Sequence, residues 1–309
     1  MKHKTDKNNP GSLLMLTLSM LIFGTIGIFR RMLPLDSALI AFFRGLVGSV
    51  FLLPLFFRNR RKKPRPMDKK TAGKLMLSGA LIGVNWLLLF EAYNHTSVSV
   101  ATLCYYMAPT FVILGACVFF REAMTLKKAL CAVGALAGMA LVSGVVESGL
   151  PGKGELKGIL LGLGAACLYA AVVLLNKTVK ETDPYAKTLI QLSCAAAVML
   201  PYLLATGGFS GVQWTAKTVG LLLLVGVLHT GVSYALYFAS MDGLRTQTVA
   251  LFSYIDPVAA LILSALVLHE SMSWLGVLGA ILILGSAVIG ELPQKQQSTT
   301  DGIRTPGRR

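Results

Sequence analysis

Three ionisable side chains stand near the middle of otherwise apolar stretches of this chain: Arg44, His229 and Asp256. An ionisable group at the centre of a hydrophobic span costs at least about 2.5–3.5 kcal/mol, so each needs a reason to be there. Arg44 offers five donors in a fixed fork suited to a carboxylate. It can hold a solute carboxylate, or it can be locked to Asp256 or to helix carbonyls as a fold element. Asp256 can bind an ammonium group or carry a proton; the alternative is a structural pair with Arg44 or His229. His229 titrates in a range useful for a proton relay, or it is a satisfied packing residue. Pro257, next to Asp256, cannot donate to a helix ladder and frees a carbonyl four residues back, near Ser253. Freed backbone at membrane depth is tolerated where it lines a cavity or is otherwise satisfied.

Aromatic residues accompany these charges, and they come in pairs because the chain repeats itself. A shift of 148 places Tyr106-Met107-Ala108-Pro109 on Tyr254-Ile255-Asp256-Pro257, Arg121-Glu122 on His269-Glu270, Gly83 on Gly231, Trp86 on Tyr234 and Phe90 on Phe238. A shift of 147 places Asp36 on Asp183, Arg44 on Gln191 and Pro54 on Pro201, and one of 146 places Phe23 on Tyr169 and Arg31 on Lys177. The mate of Asp256 is Ala108 and that of His229 is Leu81, so both polar groups are peculiar to one half. Aromatic walls suit apolar, aromatic or cationic solutes through stacking or cation–π contact, although aromatics in membrane proteins also fill cores and interface belts. The candidate solute-binding residues are Arg44, Asn85, Trp86, Tyr106, Tyr169, Tyr234, Tyr254 and Asp256, with Asp256 and His229 as candidates for proton coupling. Asn85 and Ser233 are mates that can supply hydrogen bonds beside Trp86 and Tyr234.

The elements that must position these residues are membrane spans. Hydrophobic residues make up 54% of the chain and charged residues 14%, a membrane composition. Ten stretches approach the roughly 20 apolar residues that cross a bilayer as a helix, near 12–29, 37–57, 72–92, 97–120, 126–146, 156–176, 185–206, 216–238, 245–268 and 274–291. The expected fold is an all-α integral membrane protein of ten helices: a tail at 1–11, a first five-helix repeat at 12–146, a second at 156–291 and a disordered tail at 292–309. An odd number of spans per repeat starts the second half on the opposite side, so the halves are inverted about an axis in the membrane plane. The net charge of +15 follows that topology. With the N-terminus inside, 23 Lys and Arg fall in inside segments and five in outside loops, and Arg44 lies within a span. This bias sets both termini in the cytoplasm, and the run from Arg58 to Arg65 is a topology anchor near anionic headgroups rather than a nucleic-acid patch. The Lys/His-rich start before an apolar run is like a signal peptide, but no small-x-small cleavage site follows, and a retained first helix is expected.

Other features have structural readings. Glu91 belongs at the outer end of the third helix, as an interfacial carboxylate or an outer gate. Glu122 and Glu270 end corresponding helices, and each can receive donors from the start of the next helix. Gly134/Gly138, Gly79/Gly83 and Gly158/Gly162 have the small-xxx-small spacing of close helix packing, within the chain or in a homodimer. The five cysteines (104, 117, 131, 167 and 194) fall within spans as reduced packing residues, without the spacing of a metal site or disulfide framework. His269-Glu270 begins like a zinc-protease motif, but residue 273 is serine where the second histidine belongs. No Walker-type glycine loop is present to use ATP.

The Phe23-Gly24 and Tyr169-Ala170 aromatic-small pairs, Arg44, Pro109 and Pro257, and the Phe-Phe-Arg-Glu and Leu-His-Glu endings at Glu122 and Glu270 occur in order over residues 12–291. In this the chain resembles the EamA-type branch of the drug/metabolite transporter superfamily. The resemblance implies a ten-helix inverted-repeat carrier of small organic solutes, often amino acids or metabolites and often outward, in the cytoplasmic membrane. It implies no cofactor. Gln191 stands where the first half has Arg44, which confines any arginine role to one half. The expected function is a secondary transporter working by alternating access on an amino acid or related metabolite. The alternatives are an organic-cation or drug exporter, a facilitative carrier, a channel and an intramembrane enzyme.

Overall fold

The structure is a computed structural model that describes residues 9–62, 67–149, 151–179, 182–241, 244 and 246–292. Residues 1–8 and 293–309 of the expected tails, residues 63–66 of the basic run, and Arg245 lie outside the described residues.

Ten helical rods carry the described chain. They are α1 (Pro10–Gly24 with Ile26–Met32), α2 (Ser37–Lys62), α3 (Lys69–His95), α4 (Val98–Tyr105 with Ala108–Phe119) and α5 (Leu126–Val142). The second set is α6 (Lys153–Lys177), α7 (Pro184–Thr206), α8 (Ala216–Gly226, Val227–Val232 and Ser233–Met241), α9 (Thr246–Phe252 with Ile255–Val267) and α10 (Trp274–Glu291). Seven spans among the described residues are long and apolar enough to cross a membrane; Ile255–Val267 and Trp274–Gly290 are apolar but shorter. The protein is therefore a multi-pass membrane protein.

The sequence starts these helices with side chains that satisfy their free amides. Asn9, Asp68, Ser97, Thr125, Asp183, Thr215 and Ser273 each accept a backbone N–H from the first turn of α1, α3, α4, α5, α7, α8 and α10. The ends of α4 and α9 are built alike. Arg121 (φ 54°) and His269 (φ 53°) turn left-handed, and the Glu122 and Glu270 amides reach back to the Ala116 and Ser264 carbonyls at 3.4 and 3.3 Å, a Schellman ending.

The helices are not all regular. α1 breaks at Thr25, α4 at Tyr106–Met107 and α9 at Ser253–Tyr254. The α4 and α9 breaks stand just before the mate prolines Pro109 and Pro257, as the missing amide requires. In α8, Val227–Val232 form a π-helical turn, a device that re-aims side chains and frequently marks functional sites.

Packing pairs α2 with α7, α5 with α10, and α3 with α6, while α1 lies along α8. Two groups emerge. α3 and α4 both lie on α6, and α8 and α9 both lie on α1, each set drawing helices from both sequence halves, while α7 also packs on α3 and α9 on α4. The small-residue spacings are spent inside the chain. A Cβ on Gly83 would come 2.8 Å from the Ala195 carbonyl oxygen, and one on Gly138 2.7 Å from that of Gly279. Gly158 and Gly162 meet Thr96 and Cys104 in the same way.

Candidate functional site

Arg44 projects from α2 between α3 and α8. Its Nε donates to Thr230 Oγ1 at 3.0 Å, and its guanidinium carbon lies 4.3 Å from the Trp86 ring centroid and 5.7 Å from that of Phe90. The π-helical turn of α8 delivers Thr230, and close packing of α2 on that turn is possible because residue 48 is glycine: a Cβ there would come 2.4 Å from Thr230 Cγ2. One edge and one face of the guanidinium are thus fixed by the protein, and among the described residues Nε makes its hydrogen bond while none is seen from the two terminal nitrogens. A guanidinium held this way keeps donors in a geometry that suits a carboxylate.

Asp256 sits in the first turn of the Ile255–Val267 segment, where helix amides favour negative charge. Tyr106 Oη donates to its Oδ2 at 2.8 Å, and the Tyr106 and Tyr254 rings stand 6.4 Å apart. The α4 and α9 breaks thus bring one tyrosine from each half to the same carboxylate. Arg44 and Asp256 are close enough to feel each other's charge, yet no ion pair joins them. Asp256, Tyr106, Tyr234 and Tyr254 are half-buried, and Arg44 and Trp86 are buried.

The remaining candidates divide. Tyr234 stacks on Phe238 at 5.9 Å and meets Phe23 edge-on at 5.4 Å, the counterpart of the Trp86–Phe90 wall. Tyr169 is 41% exposed and joins the cluster through Tyr105, with ring centroids 5.5 Å apart. Asn85 points elsewhere: its Nδ2 donates to the Ala165 carbonyl and ties α3 to α6. Ser233 likewise bonds helix backbone, donating to Leu228 O. His229 is buried, with Nε2 2.7 Å from Thr25 Oγ1 and its ring 4.9 Å from Phe29. Since the Thr25 hydroxyl donates to Ile22 O, Nε2 is the donor in this pair. The structural alternatives raised for Asp256, a pair with Arg44 or with His229, are not formed.

Sequence reasoning missed Tyr105, which neighbours Tyr106 and Tyr169. It also missed Thr230, whose only signal was its place beside His229. Two clefts, of about 570 and 310 Å³, lie at the Met32–Asp36 and Gly208–Leu221 turns and between Ser97, Glu147 and Ser271. Neither contains Arg44 or Asp256.

Glu122 and Glu270 hold different partners. Glu122 receives Lys128, in the first turn of the next helix, and Lys177. Glu270 receives the backbone amides of Val98 and Ser99, the Ser264 hydroxyl and Arg31. It serves the start of α4, not of α10. Glu91 accepts from Ser37, Asn94 and His95 in a network that includes buried Arg30.

An all-helical fold with seven described spans long and apolar enough to cross a membrane is that of an integral membrane protein. The chain belongs to the EamA-like transporter family, whose profile matches residues 10–144 and 156–290, within the drug/metabolite transporter superfamily. It is 26% identical to an uncharacterized transporter, YxxF, of Bacillus subtilis (strain 168), over 92% of this chain and 91% of that one. It is also 28% identical to Protein RarD of Salmonella typhi over 72% of this chain and 74% of that one. A crystal structure shares the fold with a TM-score of 0.61 at 18% identity, covering 91% of this chain and 96% of the other. The protein is a membrane transporter whose partners are a small-molecule solute and the lipid bilayer.

Proposed function

We propose that this protein is a secondary transporter that exports an amino acid or a related zwitterionic metabolite across the cytoplasmic membrane by alternating access, with both termini in the cytoplasm. Its ten helices act as two inverted repeats of five. The mate relations among packed helices support that reading: α3 on α6 corresponds to α8 on α1, while α2 on α7 and α5 on α10 are each their own counterpart.

The observation that carries the proposal is the unpaired proximity of Arg44 and Asp256. Buried opposite charges ordinarily pair. Here each is held by a neutral hydroxyl instead, Thr230 for the arginine and Tyr106 for the carboxylate. A solute with a carboxylate at one end and an ammonium at the other completes both. In this reading Trp86, Tyr105, Tyr106, Tyr169, Tyr234 and Tyr254 surround the solute, and Tyr and Trp faces suit the ammonium end. Asp256 exchanges a proton for the solute amine, which couples export to the proton gradient. His229 holds the α8 turn to the α1 break, so it positions Thr230 and takes part in coupling only through that contact.

The test is counterflow in proteoliposomes with labelled zwitterionic, amine-only and carboxylate-only solutes. Saturable exchange of zwitterions supports the proposal; exchange of amine-only solutes alone replaces it with an organic-cation carrier, which the tyrosines around Asp256 also suit. Unsaturable flux makes the protein a channel.

A further inference from the structure

On the face carrying Arg31 and Glu270, which the charge bias places outside, one carboxylate joins helices of both repeats. Glu270 comes from the end of α9 in the second repeat, yet its oxygens accept the Val98 and Ser99 amides of α4, in the first, at 3.0 and 3.3 Å. Ser97 supplies the cap for the Val100 amide at 3.0 Å, so two of the first three amides of α4 depend on the opposite repeat. Arg31, at the end of α1, donates to Glu270 Oε1 at 3.3 Å and to the Thr96 carbonyl at 2.8 Å. Ser264 of α9 donates to the same carboxylate and accepts from Ser99 at 3.0 Å. Each of these contacts to α4 or its preceding turn joins the α1/α8/α9 group to the α3/α4/α6 group.

The opposite face carries the mates of these residues. Lys177 and Glu122 are the mates of Arg31 and Glu270, and they bond one another there. Glu122 also receives Lys128, and its side chain is 34% exposed against 16% for Glu270. The two carboxylates end their helices in the same Schellman geometry, so the difference lies in what each reaches.

We propose that Glu270 is the outer latch of the transport cycle: its carboxylate, seated on the α4 amides and on Arg31, holds the outer face shut and must let go before the site opens outward. This rests on the alternating-access reading above. Charge-assisted bonds to backbone amides are the strong ones at such a junction, and losing them moves the balance between two shapes in proportion. Glu122 is the counterpart for the inner face.

The experiment uses the full chain with its five cysteines replaced and a single cysteine at Tyr169→Cys as a reporter. It is probed with a membrane-impermeant maleimide in right-side-out and inside-out vesicles. Without further change, labelling occurs from the inner side. Glu270→Gln raises the outside-to-inside labelling ratio about tenfold, Arg31→Gln raises it less, and Glu270→Asp restores it in part. A Glu270→Gln protein that melts lower but keeps the parent's one-sided labelling overturns the latch and leaves the carrier reading standing. Equal labelling from both sides in the parent overturns both. If Glu270→Gln fails to fold, the Arg31→Gln ratio decides: no rise overturns the proposal.

Discussion

At the scale of single residues, the site is a set of opposite charges kept apart by hydroxyls. Arg44 uses Nε for Thr230 and one face for Trp86, which a lysine cannot reproduce while leaving two donors for a carboxylate. Arg44→Lys should therefore raise the solute KM about tenfold or more, the cost of about one good charge-assisted bond, with transport kinetics in vesicles as the readout. Asp256→Asn keeps an acceptor for Tyr106 Oη, so the fold should hold while an imposed pH gradient ceases to drive accumulation. Away from the membrane interior, Lys177 and Lys128 hold the Glu122 carboxyl below its usual range. A group whose folded value is depressed stabilises the protein above its unfolded value and loses that contribution as pH falls through the folded one. Melting followed from neutral pH to below the ordinary carboxylate range should thus drop more steeply in the parent than in Glu122→Gln.

At the scale of elements, irregular helices place the chemistry. The α4 and α9 breaks set Tyr106 and Tyr254 against each other, the α8 π-turn aims Thr230 at Arg44, and the α1 break offers Thr25 to His229. Glycines let these rods approach. Gly138→Leu inserts a side chain where even a Cβ comes 2.7 Å from the Gly279 carbonyl oxygen and should cost about 1–3 kcal/mol. Gly73→Ala, in α3 where a Cβ meets nothing within 4 Å, should stabilise by about 0.5–1 kcal/mol; paired melting curves test the opposite signs. The apolar rods and the disturbed backbone near Ser253 ahead of Pro257 were legible, since apolar length and a missing amide are local properties. The π-turn was not, because Val227–Val232 differs from ordinary helix only in how its neighbours crowd it. For the same reason the Asn85 bond to the Ala165 carbonyl was not foreseen: it depends on how α3 meets α6. Tyr105 escaped notice because its mate is Ser253, so the repeat gave it no aromatic partner.

At the scale of the whole molecule, sequence halves and packing groups do not coincide. α1 leaves its own half to lie with α8 and α9, and α6 lies with α3 and α4. The exchange puts inter-repeat contacts such as Arg31–Glu270 and Lys177–Glu122 at both faces, where the proposed alternating access breaks and remakes them. The central claim is that one zwitterion bridges Arg44 and Asp256. The most direct measurement is the thermal shift of the parent, Arg44→Gln and Asp256→Asn against amino acids, their decarboxylated amines and their deaminated acids. Ligand at a hundredfold its Kd stabilises by about 2.7 kcal/mol, enough to read as a shift of a few degrees. The account predicts that amino acids shift only the parent strongly, that amines still bind Arg44→Gln, and that acids still bind Asp256→Asn. An amino acid that shifts all three proteins equally would contradict it.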